Sequence, residues 1–158
     1  MMNKTTNWLI HDHRKYDEML TECEMAADMA DWKDAVQIFN TFANDLKLHM
    51  QLEDEVLYPI FEEKESDAEN EINQLQEEHD NIVRLLRDLV DVIKNKNIDH
   101  FMESLLPLHE AMNEHNEHEE SVFQRLGSDS LLMRRDEIMD RLSVILAKEG
   151  HQPKNWEF

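Results

Sequence analysis

One constellation of residues recurs in this chain, and it restricts the fold more than any other feature. His13 is followed 36 residues later by His49, then by Glu53; His79 is followed 36 residues later by His115, then by Glu119. Each second histidine has a glutamate four residues on, and the second set is the first displaced by 66 residues. A spacing of four places His49 with Glu53, and His115 with Glu119, on one face of a helix. Two segments bearing one histidine and two bearing His-x-x-x-Glu, in register, look like a two-metal site between four helices.

The composition allows that fold and argues against most others. Only 2 Gly and 3 Pro among 158 residues leave too few turn residues for an all-β chain. A content of 33% charged and 41% hydrophobic residues suits a single bundle of amphipathic helices. The net charge of −20 excludes nucleic acid and anionic membranes as partners, since both need a basic face. The single cysteine excludes an internal disulfide and any thiolate-rich zinc or iron–sulfur site. No apolar run is long enough for a membrane span, and the N-terminal stretch has no signal-peptide pattern. A cytoplasmic location is the expectation.

Apolar periodicity divides the chain into segments. The first, about Thr6 to Met29, has the seam Leu9, His13, Tyr16, Leu20, Cys23, Ala27. Residues 28–31 form a turn, with Asp31 as N-cap of the second segment. That segment, about Trp32 to Glu63, has the seam Phe39, Phe42, Leu46, His49, Glu53, Val56, Ile60, and Pro59 should kink or loosen its last turns. The third, about Ala68 to Lys94, carries Ile72, Leu75, His79, Ile82, Leu86, Leu89 and Ile93. The fourth follows a turn at 95–97, with Asp99 as its expected N-cap. It carries Leu105, Leu108, Met112, His115, Glu119, Val122 and Leu126, with Gly127 as C-cap and an unplaced irregularity at Pro107. A fifth helix is expected over about Ser130 to Lys148. The expected architecture is all-α: an antiparallel up-down-up-down four-helix bundle over residues 1–127, with a C-terminal helix and tail over 128–158 packing on the bundle or on a second copy as a homodimer contact.

All six repeated residues fall on these seams. Two ionised carboxylates inside a core are costly without partners, and core imidazoles need hydrogen bonds. Bound cations remove the difficulty when carboxylates bridge them and neutral imidazoles fill the sides. Such a nitrogen and oxygen donor set suits iron, manganese or zinc. The competing reading is four core histidines in ordinary polar networks. His11, His100, His109, His118 and His151 lie off the seams and default to the surface; His118, which neighbours Glu119, comes closest to an exception, as a support of the site or a substitute ligand. Tyr16, one turn beyond His13, reads as a core tyrosine with a satisfied hydroxyl, the alternative being a hydroxyl near the metals. Cys23, about 15 Å along the helix from His13 at the helical rise, is too far to be a ligand and reads as a small buried hydrophobe.

At these residues the chain resembles the hemerythrin-like, HHE cation-binding family, from about Trp8 to Leu126. The resemblance is carried by His13 after Asp12, by HMQLEDEVLYP from His49 to Pro59, by EEHD around His79 and by HNEHEESVF from His115 to Phe123. It implies a four-helix bundle around a non-haem di-iron centre of two iron ions. His13, His49, His79 and His115 would then be the imidazole ligands, and Glu53 and Glu119 the bridging carboxylates. Oxygen-carrying members have a further histidine one turn before the position of His79, where this chain has Leu75. The pattern is more similar to bacterial iron-centre repair and nitric oxide response proteins, and it implies more open coordination positions.

The function expected from this resemblance is binding or sensing of oxygen, nitric oxide or a related small oxidant. The partner is then a diatomic ligand or peroxide. The alternatives are a di-iron oxidoreductase turning over peroxide or nitric oxide, and an iron-storage or structural metal protein. No catalytic group stands out beyond the ligand set, and the coordination chemistry alone leaves manganese and zinc open.

Overall fold

The structure is a computed structural model describing residues 4–59, 62 and 69–126, with side chains from His13 onward except those of Val56, Phe123 and Leu126. The expected fifth helix, Gly127 and the side chains of Leu9, His11 and Ile60 lie outside the described residues.

Four helices follow in order: α1 (Lys4–Asp28), α2 (Trp32–Leu52), α3 (Glu69–Lys94) and α4 (Ile98–Leu126). A π-helical turn, Glu53–Leu57, extends α2. Each helix packs on the next, and α4 returns to α1, which closes the bundle. Pairings across it run in opposite senses. Tyr16 meets Asp45 while Cys23 meets Ala35; His79 meets His115 while Glu71 meets Arg125; His13 meets Glu120 while Glu24 meets His109. The helices are therefore antiparallel, as short connections require. Among the described residues no helix is long and apolar enough to cross a membrane.

The seams define the core. Every seam residue of α3 is buried, from Ile72 to Ile93, and so are the α1 positions from His13 to Ala27 and the α4 positions from Leu105 to Val122. Phe39, Phe42, Leu86, Phe101 and Leu105 form the centre of an apolar cluster that fills the bundle between the two short turns and the His/Glu layer. Burying side chains of this size contributes about 1.5–3 kcal/mol each. Leu57, Ile72, Leu75 and Val122 are buried on the far side of that layer, so the polar residues lie between two apolar ones.

The irregularities differ from expectation in informative ways. Ahead of Pro59 the last turns of the helix loosen, as expected, and they do so as a π-turn, where the Tyr58 N–H reaches the Glu53 carbonyl five residues back. A proline ring clashes with the carbonyl four residues before it, and widening the preceding turn relieves that clash. The burial pattern shifts with it, so Leu57 and Tyr58 are in the core after Glu53. Pro107 sits inside α4, which continues through it. The N-cap of α4 is Asn97 rather than Asp99: Asn97 Oδ1 accepts from the His100 N–H at 3.0 Å, leaving Asp99 in the first turn. Asp31 caps α2 as expected, accepting from the Asp34 N–H at 3.2 Å.

The turn between α1 and α2 holds a stability lever. The Asp31 N–H bonds to the Ala26 carbonyl and the Ala30 N–H to the Ala27 carbonyl, a Schellman closure with Ala30 in the left-handed region at φ 62°. A residue with a Cβ is disfavoured there by about 1–2 kcal/mol, more than the extra unfolded-state freedom of glycine. Ala30→Gly is therefore expected to stabilise the protein by about 0.5 kcal/mol, read as a higher midpoint in chemical denaturation; a lower midpoint would contradict this account of the turn.

Candidate metal centre

The repeated residues meet in one layer of the bundle. His13 comes from α1, His49 from α2, Glu53 from the first residue of the π-turn, His79 from α3, and His115 with Glu119 from α4. All six are buried, Glu119 completely. They form two groups with mutually close donor atoms: Glu53, His79, His115 and Glu119 on one side, His13, His49 and Glu119 on the other.

Each carboxylate reaches both sides. Glu53 Oε1 lies 3.1 Å from His79 Nε2, and Glu53 Oε2 lies 3.4 Å from His49 Nε2. Glu119 Oε1 lies 3.4 Å from His13 Nε2, and Glu119 Oε2 lies 3.4 Å from His115 Nε2. The Nε2 atoms of His79 and His115 are 3.0 Å apart. Donors about 2.1 Å from one cation are separated by about 3.0–3.4 Å in octahedral or tetrahedral arrangements. These spacings fit that range.

The imidazoles are oriented from outside. His13 Nδ1 lies 3.1 Å from Glu120, His79 Nδ1 3.0 Å from Asp54 and His115 Nδ1 2.8 Å from Glu78. A carboxylate on Nδ1 holds the proton there and turns Nε2 inward as a lone-pair donor, the usual support of a metal-binding histidine. Glu78 extends further, its second oxygen taking His118 Nδ1 at 2.8 Å. His118 is thus half-buried and tied to the centre through Glu78.

Without a cation the cluster is electrostatically incomplete. Glu53 Oε2 and Glu119 Oε1 are buried acceptors with no hydrogen bond among the described residues. Such atoms carry a desolvation penalty of about 1–3 kcal/mol or more. Their positions, facing His49 and His13, fit a cation on that side. Burial disfavours the charged form of Glu53, yet the charge of neighbouring His49 and the contacts with Glu119 and His115 hold its carboxyl well below the usual range. Burial would lower His115, but hydrogen bonds to Glu119, Glu53 and Glu78 push it up to about 12. His13 and His79 are raised in the same way, by Glu119 and Glu120 and by Asp54 and Glu53 respectively, against the effect of burial. The metal-free cluster therefore favours protonated imidazoles.

The remaining candidates fall elsewhere. The Tyr16 hydroxyl donates to the Asp45 carbonyl at 3.2 Å while its ring packs edge-on against His49. Cys23 is fully buried, its thiol 3.3 Å from the Ala35 carbonyl and pushed up to about 12 by burial. His109 pairs with Glu24 at 2.7 Å, and His100 is exposed. The sequence reading assigned no role to Asp54, Glu78, Glu120 or Tyr58. The first three each adjoin a residue of the repeat or stand one before it, a signal easily lost among 36 acidic residues. Tyr58 was hidden by the π-turn: five residues after Glu53 it belongs to another face of a regular helix, but to nearly the same face when the turn is widened.

Because the His13, His79 and His115 values are all raised above the ordinary 6.5, the metal-free fold favours the protonated form of each. The stability they contribute is complete below about pH 6.5 and declines as pH rises toward their folded values. A cation must displace these protons, so affinity should rise with pH. Calorimetric titration with zinc in buffers of different ionisation enthalpy should show net proton release; uptake without release would contradict this electrostatic account.

No curated protein and no solved structure matches this chain. The model of the hemerythrin HHE cation binding domain matches residues 4–126, which span all four helices and all six residues of the repeat. Bundle, register and clustered donors agree with that match, and the chain belongs to the hemerythrin HHE cation-binding domain family.

Proposed function

We propose that this is a non-haem di-iron protein that binds or senses oxygen, nitric oxide or a related small oxidant. Its ligands are His13, His49, Glu53, His79, His115 and Glu119. The observation that carries this reading is the double reach of the carboxylates: Glu53 and Glu119 each present one oxygen to His13 or His49 and the other to His79 or His115. A single-ion site needs no such sharing. Iron in particular is supported by family membership and by a donor set of imidazole nitrogen and carboxylate oxygen without soft sulfur.

Two imidazoles and one oxygen from each carboxylate leave each ion short of six-coordination. Two iron ions held this way supply open positions and a redox couple for a diatomic ligand. The chain keeps the surroundings dry. Leu75, Ile82 and Val122, each one turn from a proposed ligand, are buried. Asp54, Glu78 and Glu120 fix the imidazole rings, so that ligand exchange leaves the protein donors in place. Beyond the ligands and this outer set, the proton-bearing group described at the centre is the Tyr58 hydroxyl, itself hydrogen-bonded to Glu119, which favours sensing over turnover.

The test is the iron content of the purified protein, with its visible spectrum before and after exposure to air and to nitric oxide. Two irons per chain and a spectrum that responds to either gas are expected. Glu119→Ala, which removes the carboxylate common to both groups, should lower iron below one per chain, whereas His13→Ala should retain about one. Stoichiometric zinc with no response to either gas would overturn the redox reading.

A further inference from the structure

On the side of the centre formed by His79 and His115, a seventh side chain enters the donor cluster. Tyr58 is completely buried, and its hydroxyl donates a 2.7 Å hydrogen bond to Glu119 Oε2 while lying 3.2 Å from His79 Nε2. Its ring is stacked on that of His79, with centroids 5.5 Å and planes 19° apart. The π-turn puts it there, bringing the residue five after Glu53 round toward Glu53's own face. On α3, one turn before His79, the core position is Leu75, which has no donor atom.

We propose that Tyr58 is itself a ligand of the centre, giving its phenol oxygen to the ion beside His79 and His115; this rests on the two-iron reading above. Four atoms are linked here by short separations: Tyr58 Oη to Glu119 Oε2 at 2.7 Å, Tyr58 Oη to His79 Nε2 at 3.2 Å, His79 Nε2 to His115 Nε2 at 3.0 Å and His115 Nε2 to Glu119 Oε2 at 3.4 Å. The last three match edge lengths of a coordination polyhedron with donors about 2.1 Å from the metal, and the 2.7 Å separation is the hydrogen bond that the phenol proton makes until a cation displaces it. A tyrosine serving the core alone needs one acceptor, as Tyr16 has in the Asp45 carbonyl. The Tyr58 hydroxyl instead touches two atoms that both belong to the donor set.

On binding, the phenol O–H bond is replaced by an oxygen–metal bond and the proton passes to solvent. No oxidant or reductant is required. An unbound tyrosine hydroxyl, with an ordinary pKa of about 10, stays a phenol at neutral pH. Tyrosinate seen at neutral pH is therefore a signature of coordination. An anionic oxygen on one ion only also makes the two ions inequivalent and favours the trivalent state at that ion.

The experiment compares the wild-type chain with Tyr58→Phe and, since the chain has 2 tyrosines, with Tyr16→Phe as control. Circular dichroism establishes that each variant is folded. Zinc titration at neutral pH is followed by the ultraviolet difference absorption of ionised tyrosine, and ferric loading by resonance Raman phenolate modes. Wild type and Tyr16→Phe should show both signatures, and Tyr58→Phe neither, with metal stoichiometry unchanged. A metal-loaded wild type without either signature, or a Tyr58→Phe variant that keeps them, overturns the assignment and leaves the two-iron reading standing. The tyrosinate signature with zinc in a protein that refuses iron supports the assignment and overturns the iron reading alone. A chain that takes up neither ion overturns both.

Discussion

The structure depends on two carboxylates placed where water cannot reach them. Glu53 and Glu119 are 1% and 0% exposed, and each lies within 3.4 Å of imidazoles from both halves of the chain. An apolar bundle would gain nothing from such groups, since desolvating a carboxylate costs several kcal/mol even after relaxation. Four histidines are arranged to compensate that charge, outer carboxylates orient three of their rings, and apolar layers above and below seal the cluster. The bundle is thus a frame whose stability is partly given up at one level to hold a cluster poised for cations.

The burial of the acidic groups is graded. The inner pair is closed to solvent, whereas the side chains of Asp54, Glu78 and Glu120 are 36%, 27% and 35% exposed. An outer carboxylate at that depth keeps much of its hydration while still accepting the Nδ1 proton of a ring beneath it, so it orients the imidazole without a second full desolvation penalty. The overall charge of −20 belongs to the same logic. It costs little where charges are solvated and screened, and it favours cations over anions around the bundle.

Most of the fold was legible because the bundle obeys the helical period over long stretches. The seam of α3 held at every position, and the repeat at 36 and 66 residues identified the six residues that the fold brings together. Exceptions arose where local chemistry interrupts the period. Asn97 displaced Asp99 as the cap because the chain enters α4 two residues earlier, after Lys96 adopts a left-handed conformation. The outer carboxylates were illegible for another reason: in a chain with 36 acidic residues, only the direction of the imidazole rings separates Asp54, Glu78 and Glu120 from solvated neighbours.

Pro59 shows how one residue can reshape a site without entering it. Its ring is incompatible with a regular turn before it, and the helix answers with a π-turn that begins at Glu53. The extra residue in that turn brings the Tyr58 hydroxyl to Glu119, so the added oxygen depends on the local widening, whereas Asp54 on His79 Nδ1 is matched by Glu120 on His13 Nδ1 from a regular helix. The matching stretch of α4 after Glu119 is assigned as regular helix to Leu126. The repeat is therefore symmetric in its six residues and asymmetric in its surroundings. Only the α2 half brings a phenol to the centre, which gives two sides of like composition different chemical character.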